Sequence, residues 1–231
     1  AYLSSGTWSL LGAELDAPVV NEQSLALDFT NEGGVGGKIR FLKNIFGLWL
    51  VQECRRAWDR AGETADYATL TAEAAAGAPF VSVLQDLDDP RLMAPENMVE
   101  LIRTMCRETG QPVPETRGAV IRCALESLAL KYRRTVRALD GLLGRRTEKL
   151  HIIGGGTQNK LLCQMTADAC GIPVVAGPVE ATALGNIGVQ AMGAGAIESL
   201  AEMRQIIARS VDLEHYTPGD TASWDTLDPK P

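Results

Sequence analysis

The last third of the chain alternates strand and helix in the order that a parallel sheet requires. Residues 149–153 (K-L-H-I-I) make a short apolar strand, Gly154-Gly155-Gly156 turns the chain, and residues 158–169 carry a helical pattern. Residues 172–176 supply the next strand and residues 180–195 the next helix. Parallel neighbours need a crossover of a dozen or more residues, which a helix provides. An α/β architecture follows for this part of the chain.

The preceding residues are more varied. Residues 1–15 read as a strand or hairpin punctuated by Gly6 and Gly12, and residues 25–30 (L-A-L-D-F-T) as a strand running into the loop N-E-G-G-V-G-G. From residue 38 to about 61, Phe41, Leu42, Ile45, Leu48, Trp49 and Gln52 recur at three- and four-residue spacing. That spacing predicts one helix, stopped by Gly62. Further helices are expected over 66–76, from 95 to 110 and, longest, from about 116 to 139. Leu125, Leu128, Ala129 and Tyr132 share one face of the last. Residues 77–95 are expected to hold a short strand and a loop, and the polar sequence after Ser210 a surface tail.

With 231 residues and 45% hydrophobic side chains, the chain has material for a substantial core in one large or two small domains. Twenty-two Lys and Arg against 29 Asp and Glu give a net charge of −7. That balance argues against a bulk grip on nucleic acid or on an anionic membrane. No stretch approaches the ~20 apolar residues of a membrane span, and the opening A-Y-L-S-S-G-T-W has no secretory pattern. A cytoplasmic location is the expectation. Five cysteines without C-x-x-C spacing offer no metal site. Cys106 and Cys123, on consecutive predicted helices, would meet if those helices pack antiparallel, as a disulfide or as buried thiols.

Several segments are candidates for chemistry. The glycine triplet sits at the carboxyl end of a strand and faces a helix start, where unpaired amides favour phosphate and missing side chains admit a ligand to the backbone. A tight turn without a ligand is the plainer alternative. Ser4-Ser5-Gly6-Thr7 would expose amides and a hydroxyl at a hairpin turn. Asn44 and Gln52, eight residues apart on the predicted helix, would project from one side, either toward a hydroxyl-rich ligand or into solvent. The small residues Ala181, Ala183, Gly185 and Gly188 allow close helix packing or a flat ring against the backbone. Asp28 and Glu32 flank the four-glycine loop as a base or metal contact, or as surface charges. His151 and His215 have no evident triad partner.

Four stretches in register, 1–12, 30–50, 150–159 and 171–188, resemble the rhamnulokinases within the FGGY family of carbohydrate kinases. N-E-G-G followed by L-K-N-I-F-G-L-W is the part that points to this branch. The resemblance covers residues 1–218, leaving 219–231 as a polar tail. It implies a ribonuclease-H-like, actin-like ATPase domain with helical additions, the C-terminal and nucleotide-side half of a two-domain enzyme. The implied reaction is phosphoryl transfer from ATP, with Mg²⁺, to the 1-hydroxyl of L-rhamnulose. Thr7, Gln52, Gly155 and Asn186 would bind ATP and Asn44 the sugar, and no residue here would hold the metal. The general-base Asp is expected upstream of Ala1 in the N-terminal domain, so the isolated chain is expected to be inactive. A kinase for another ketose or polyol, or a non-catalytic nucleotide-binding regulatory module, stays open on the residues alone.

Overall fold

The computed structural model describes residues 1–228. The chain opens with the hairpin β1 (Tyr2–Ser5) and β2 (Trp8–Leu15), followed by α1 (Glu22–Ala26), β3 (Thr30–Gly33) and β4 (Ile39–Phe46). A helical section comes next: α2 (Trp49–Arg60), α3 (Tyr67–Ala76), α4 (Met98–Glu108) and the 27-residue α5 (Arg117–Leu143). The alternating part follows as β5 (Leu150–Ile153), α6 (Lys160–Cys170), β6 (Val174–Ala176) and α7 (Ala181–Gly193). The described residues end with α8 (Leu200–Ser210), β7 (Glu214–Tyr216) and α9 (Ala222–Leu227).

Among the described residues, seven strands join one sheet in the order β3-β4-β2-β1-β5-β6-β7. The contacts β1–β5 and β5–β6 are parallel and the others antiparallel. Register puts Leu3, Leu11, Ala13, Phe41, Ile45 and Ile152 on one sheet face, where all are buried. That face packs beneath α5, whose Leu125, Leu128, Ala129 and Tyr132 are fully enclosed, as the spacing predicts. Each Leu so buried contributes about 1.5–3 kcal/mol.

The expected helix over 38–61 is two elements. Residues 39–46 form β4, and α2 starts only at Trp49. Between them Gly47 is wedged against the hairpin turn: a Cβ there would lie 2.7 Å from Gly6 O and from Ser9 Oγ. A strand buried on both faces, joined at once to a helix, mimics a helical period. Asn44 and Gln52 therefore sit on different elements, correcting their placement on a single helix. The expected strand at 25–30 is instead the end of α1, nucleated by a capping box between Asn21 and Ser24, with β3 beginning at Thr30.

Residues 77–95 contain no strand. Their apolar side chains Val83, Leu84 and Leu87 enter the core, while side chains rather than a partner strand satisfy the backbone. Glu126 accepts from Phe80 N through both oxygens (3.1 and 3.0 Å), Ser127 Oγ accepts from Leu84 N (2.8 Å), and Gln111 brackets Val83 N and O.

The segment after Ser210 is structured as well. β7 extends the sheet and α9 inserts Trp224, which is 2% exposed and meets the Phe80 ring edge-on at 4.9 Å. Residues 229–231 of the expected tail lie outside the described residues. Among the described residues no helix is long and apolar enough to cross a membrane.

Candidate functional site

The carboxyl ends of β1 and β5 lie side by side, Ser4 pairing with Ile153, so the turns that leave them meet at one edge of the sheet. The first turn is Gly6-Thr7. Thr7 O accepts from Gly47 N (3.1 Å) and Trp49 N (3.0 Å), and Gly6 O accepts from Leu48 N (2.9 Å). These amides at the start of α2 are thus occupied by the hairpin. They hold the turn so that the exposed Thr7 side chain meets Gln52 in the first turn of α2. Gln52 Nε2 donates to Thr7 Oγ1 (3.1 Å), and the hydroxyl lies 3.2 Å from Gln52 Oε1.

The second turn is the glycine triplet. Gly154 has φ +88°, and Cβ atoms on Gly154 and Gly156 would lie 2.8 Å from Ser5 O and 2.0 Å from Ser5 Oγ respectively. Only Gly155 between them faces open space, with nothing within 4 Å of a built Cβ. Gly154 N donates to Pro178 O (3.1 Å), tying this turn to the segment that starts α7. Glu180 caps α7 without a side-chain hydrogen bond, leaving its first-turn amides without a side-chain acceptor.

Thr7, Gln52 and the Gly155 turn therefore belong to one edge. Asn186 is farther along α7, exposed, and accepts from Gln190 Nε2 at 2.5 Å. Asn44 is exposed on β4 opposite Leu10, on the sheet face turned away from α5. Of the small residues on α7, Gly188 is the one packed tightly, against Met203 of α8, whereas Gly185 is open. Asp28 pairs with Lys43 at 3.4 Å and Glu32 with Arg40 at 3.2 Å, so both are engaged in ion pairs. Cys106 and Cys123 are free thiols brought together by α4 and α5. A hydrogen bond from Cys123 holds the Cys106 thiol down to about 7, while the same contact and burial push Cys123 up. Among the described residues no group of three or more His, Cys, Asp or Glu is placed to hold a metal ion.

Residues 1–194 match the model of the C-terminal domain of the FGGY family of carbohydrate kinases. The chain belongs to the FGGY family. This FGGY domain is 54% identical over 225 residues to a rhamnulokinase of Bacteroides thetaiotaomicron, covering 97% of the chain and 45% of that protein. It is 49% identical over 220 residues to a rhamnulokinase of Pectobacterium carotovorum, covering 94% of the chain and 43% of the relative. The chain thus spans less than half the length of these curated relatives. Among solved structures, a gluconate kinase from Lactobacillus acidophilus superposes with TM-score 0.70 at 13% identity, covering 99% of the chain and 45% of that structure. A xylulose kinase from Rhodospirillum rubrum gives TM-score 0.66 at 22% identity, covering 98% and 44%. These likenesses establish the expected mixed α/β kinase fold.

The sequence singles out Ser5 within an exposed turn and Tyr132 as a face residue of the longest helix, but neither the hydroxyl of Ser9 nor the meeting of all three hydroxyls beneath this edge. Ser9 Oγ and Tyr132 OH are 2.6 Å apart and buried. Ser5 Oγ is buried beside them without a hydrogen bond of its own. The available signal was the symmetry of S-G-T-W-S, in which both serines point to the α5 side of the hairpin.

Proposed function

We propose that this chain is the nucleotide-side half of an ATP-dependent sugar kinase that phosphorylates the 1-hydroxyl of L-rhamnulose. The observation that carries the reading is the Thr7–Gln52 pair set beside the open Gly155 turn at the carboxyl ends of β1 and β5. Ligands of α/β sheets bind at this edge, and a turn without side chains lets a phosphate reach backbone amides. The residues present fit a nucleotide: a hydroxyl donor at Thr7, bare backbone at Gly155, and the first-turn amides of α7 at the same edge. ATP supplies the γ-phosphoryl group, and Mg²⁺ would arrive with its phosphates, keeping several waters as this ion usually does. Asn186 would border the base, and Asn44 would contact the sugar.

The substrate assignment is supported by 48–54% identity to proteins named rhamnulokinase. The nucleotide assignment is supported by the fold shared with a Plasmodium falciparum glycerol kinase solved with ADP, TM-score 0.61 at 16% identity over 98% of the chain. The greater length of the relatives supports a further domain that would bring most sugar contacts and the Asp that accepts the hydroxyl proton. On this reading the isolated chain does not turn over, because catalysis needs both halves positioned around one cleft.

The test is ADP release by the two-domain protein with Mg-ATP and a panel of L-rhamnulose, L-fuculose, D-xylulose and glycerol. A kcat/KM at least about tenfold higher for L-rhamnulose is expected, ~1.4 kcal/mol of discrimination. Preference for another member of the panel would overturn the substrate. ATP binding without turnover on any would make the chain part of a regulatory module.

A further inference from the structure

The two turns of the candidate nucleotide edge rest on the same buried hydroxyls. Ser5 and Ser9 are the last paired residues of the β1–β2 hairpin and flank the turn that presents Thr7. Ser9 Oγ is bonded to Tyr132 OH at 2.6 Å, and Ser9 is 0% exposed. Ser5 Oγ, 2% exposed and without a hydrogen bond, occupies the space that a side chain on Gly156 would need. Tyr132 comes from the middle of α5, the longest and most enclosed helix, and is itself 0% exposed. The hydroxyl cluster is therefore the point where the rigid core meets both turns.

Resting on the nucleotide reading above, we infer that Tyr132 is a positioning residue for ATP. Its phenol anchors Ser9 and, with Ser5 packed between, holds the Thr7 turn and the Gly154–Gly156 turn at a fixed separation. The phenol does not touch the nucleotide. It acts through the backbone of the hairpin, which α2 grips from the other side through the amides of Gly47, Leu48 and Trp49. A buried hydroxyl left unpaired is costly and seeks a new partner, so loss of this bond displaces the turn rather than leaving it in place.

The experiment is steady-state kinetics of Tyr132→Phe and Ser9→Ala in the two-domain kinase, with Thr7→Ala alongside. The expected result is a rise in KM for ATP of about five- to tenfold in both variants, with KM for the sugar unchanged. A merely structural role would lower the thermal midpoint and the active fraction, and so kcat, without moving the KM for ATP. That pattern, or equal rises in both KM values, overturns the inference. Where Tyr132→Phe fails to fold, Ser9→Ala removes the same bond from the strand side and decides the matter by the same ratio. If Thr7→Ala also leaves ATP kinetics unchanged, the nucleotide reading itself has failed. If Thr7→Ala alone raises the KM for ATP, only the role of Tyr132 has.

Discussion

Gln52 donates a hydrogen bond of 3.1 Å to the Thr7 hydroxyl across 45 positions of sequence. The bond joins the tip of a hairpin to the first turn of a helix, and the backbone already locks these two elements through Thr7 O. Side-chain and main-chain contacts thus fix the same turn from two directions. On the proposed nucleotide reading, a threonine held in this way would lose little freedom on meeting a phosphate oxygen, which favours tight positioning.

The glycine triplet gives a paired prediction. Gly156→Ala is expected to destabilise the protein by about 3 kcal/mol, because its Cβ would fall 2.0 Å from the buried Ser5 Oγ. Gly155→Ala meets nothing within 4 Å and is expected to keep the wild-type thermal midpoint while raising the KM for ATP. Thermal denaturation with ATP kinetics separates the two, and a normal KM in Gly155→Ala would remove that turn from the nucleotide site.

Asn44 is exposed on β4, and its loss leaves the core intact. Asn44→Ala should raise the KM for L-rhamnulose several-fold, with ATP kinetics and the thermal midpoint unchanged. Unchanged sugar kinetics would exclude it from the sugar site.

The C-terminal helix is held by a cluster of arginines on α5. Arg133, 3% exposed, donates to Ala169 O at 2.7 Å and pairs with Asp225 and Asp228, while Arg134 and Arg137 share Asp228. Trp224→Ala should cost ~3–5 kcal/mol by emptying the pocket against Phe80. Denaturant unfolding measures this, and a loss below about 1 kcal/mol would mean that α9 is dispensable to the core.

The thiol pair gives a pH dependence. Cys106 is held near 7 in the folded state, below its ordinary value, by the Cys123 hydrogen bond. Its folded value lies below the unfolded one, so the stability it contributes is present above the ordinary thiol range and is lost as pH falls through about 7. Thiolate absorbance should rise with a midpoint near 7, and Cys123→Ala should shift that midpoint upward. An unmoved midpoint would mean that Cys123 is not the cause.

How much of this was legible beforehand depended on whether local pattern and tertiary partner agreed. β5, β6 and the long α5 were visible because strand and helix periods matched their burial. β4 was hidden because Phe41, Leu42, Ile45 and Phe46 are buried on both faces of a strand, and that run carries no clean alternation. The loop holding Val83 and Leu84 looked like a strand because its apolar residues reach the core, yet its pairing partners are Glu126, Gln111 and Ser127, far along the chain. Trp224 was one apolar residue in a polar stretch, and no periodicity announces a single anchor. At the site, Thr7, Gln52 and Gly155 could each be singled out by residue type and motif. The bond between Thr7 and Gln52 could not, because it depends on where Gly47 ends β4. Tyr132 was legible as a buried residue of α5, but its pairing with Ser9 was not, because only the stacking of α5 on the sheet brings the two together.

The most direct test of the central claim is the kinetics of Thr7→Ala in the proposed two-domain kinase with L-rhamnulose and Mg-ATP. The hydroxyl is exposed, and its removal costs little stability. The KM for ATP is expected to rise by about tenfold, the loss of one charge-assisted hydrogen bond, while the KM for L-rhamnulose stays within about twofold. An unchanged KM for ATP, or a rise confined to the sugar, would contradict the assignment of this edge to the nucleotide.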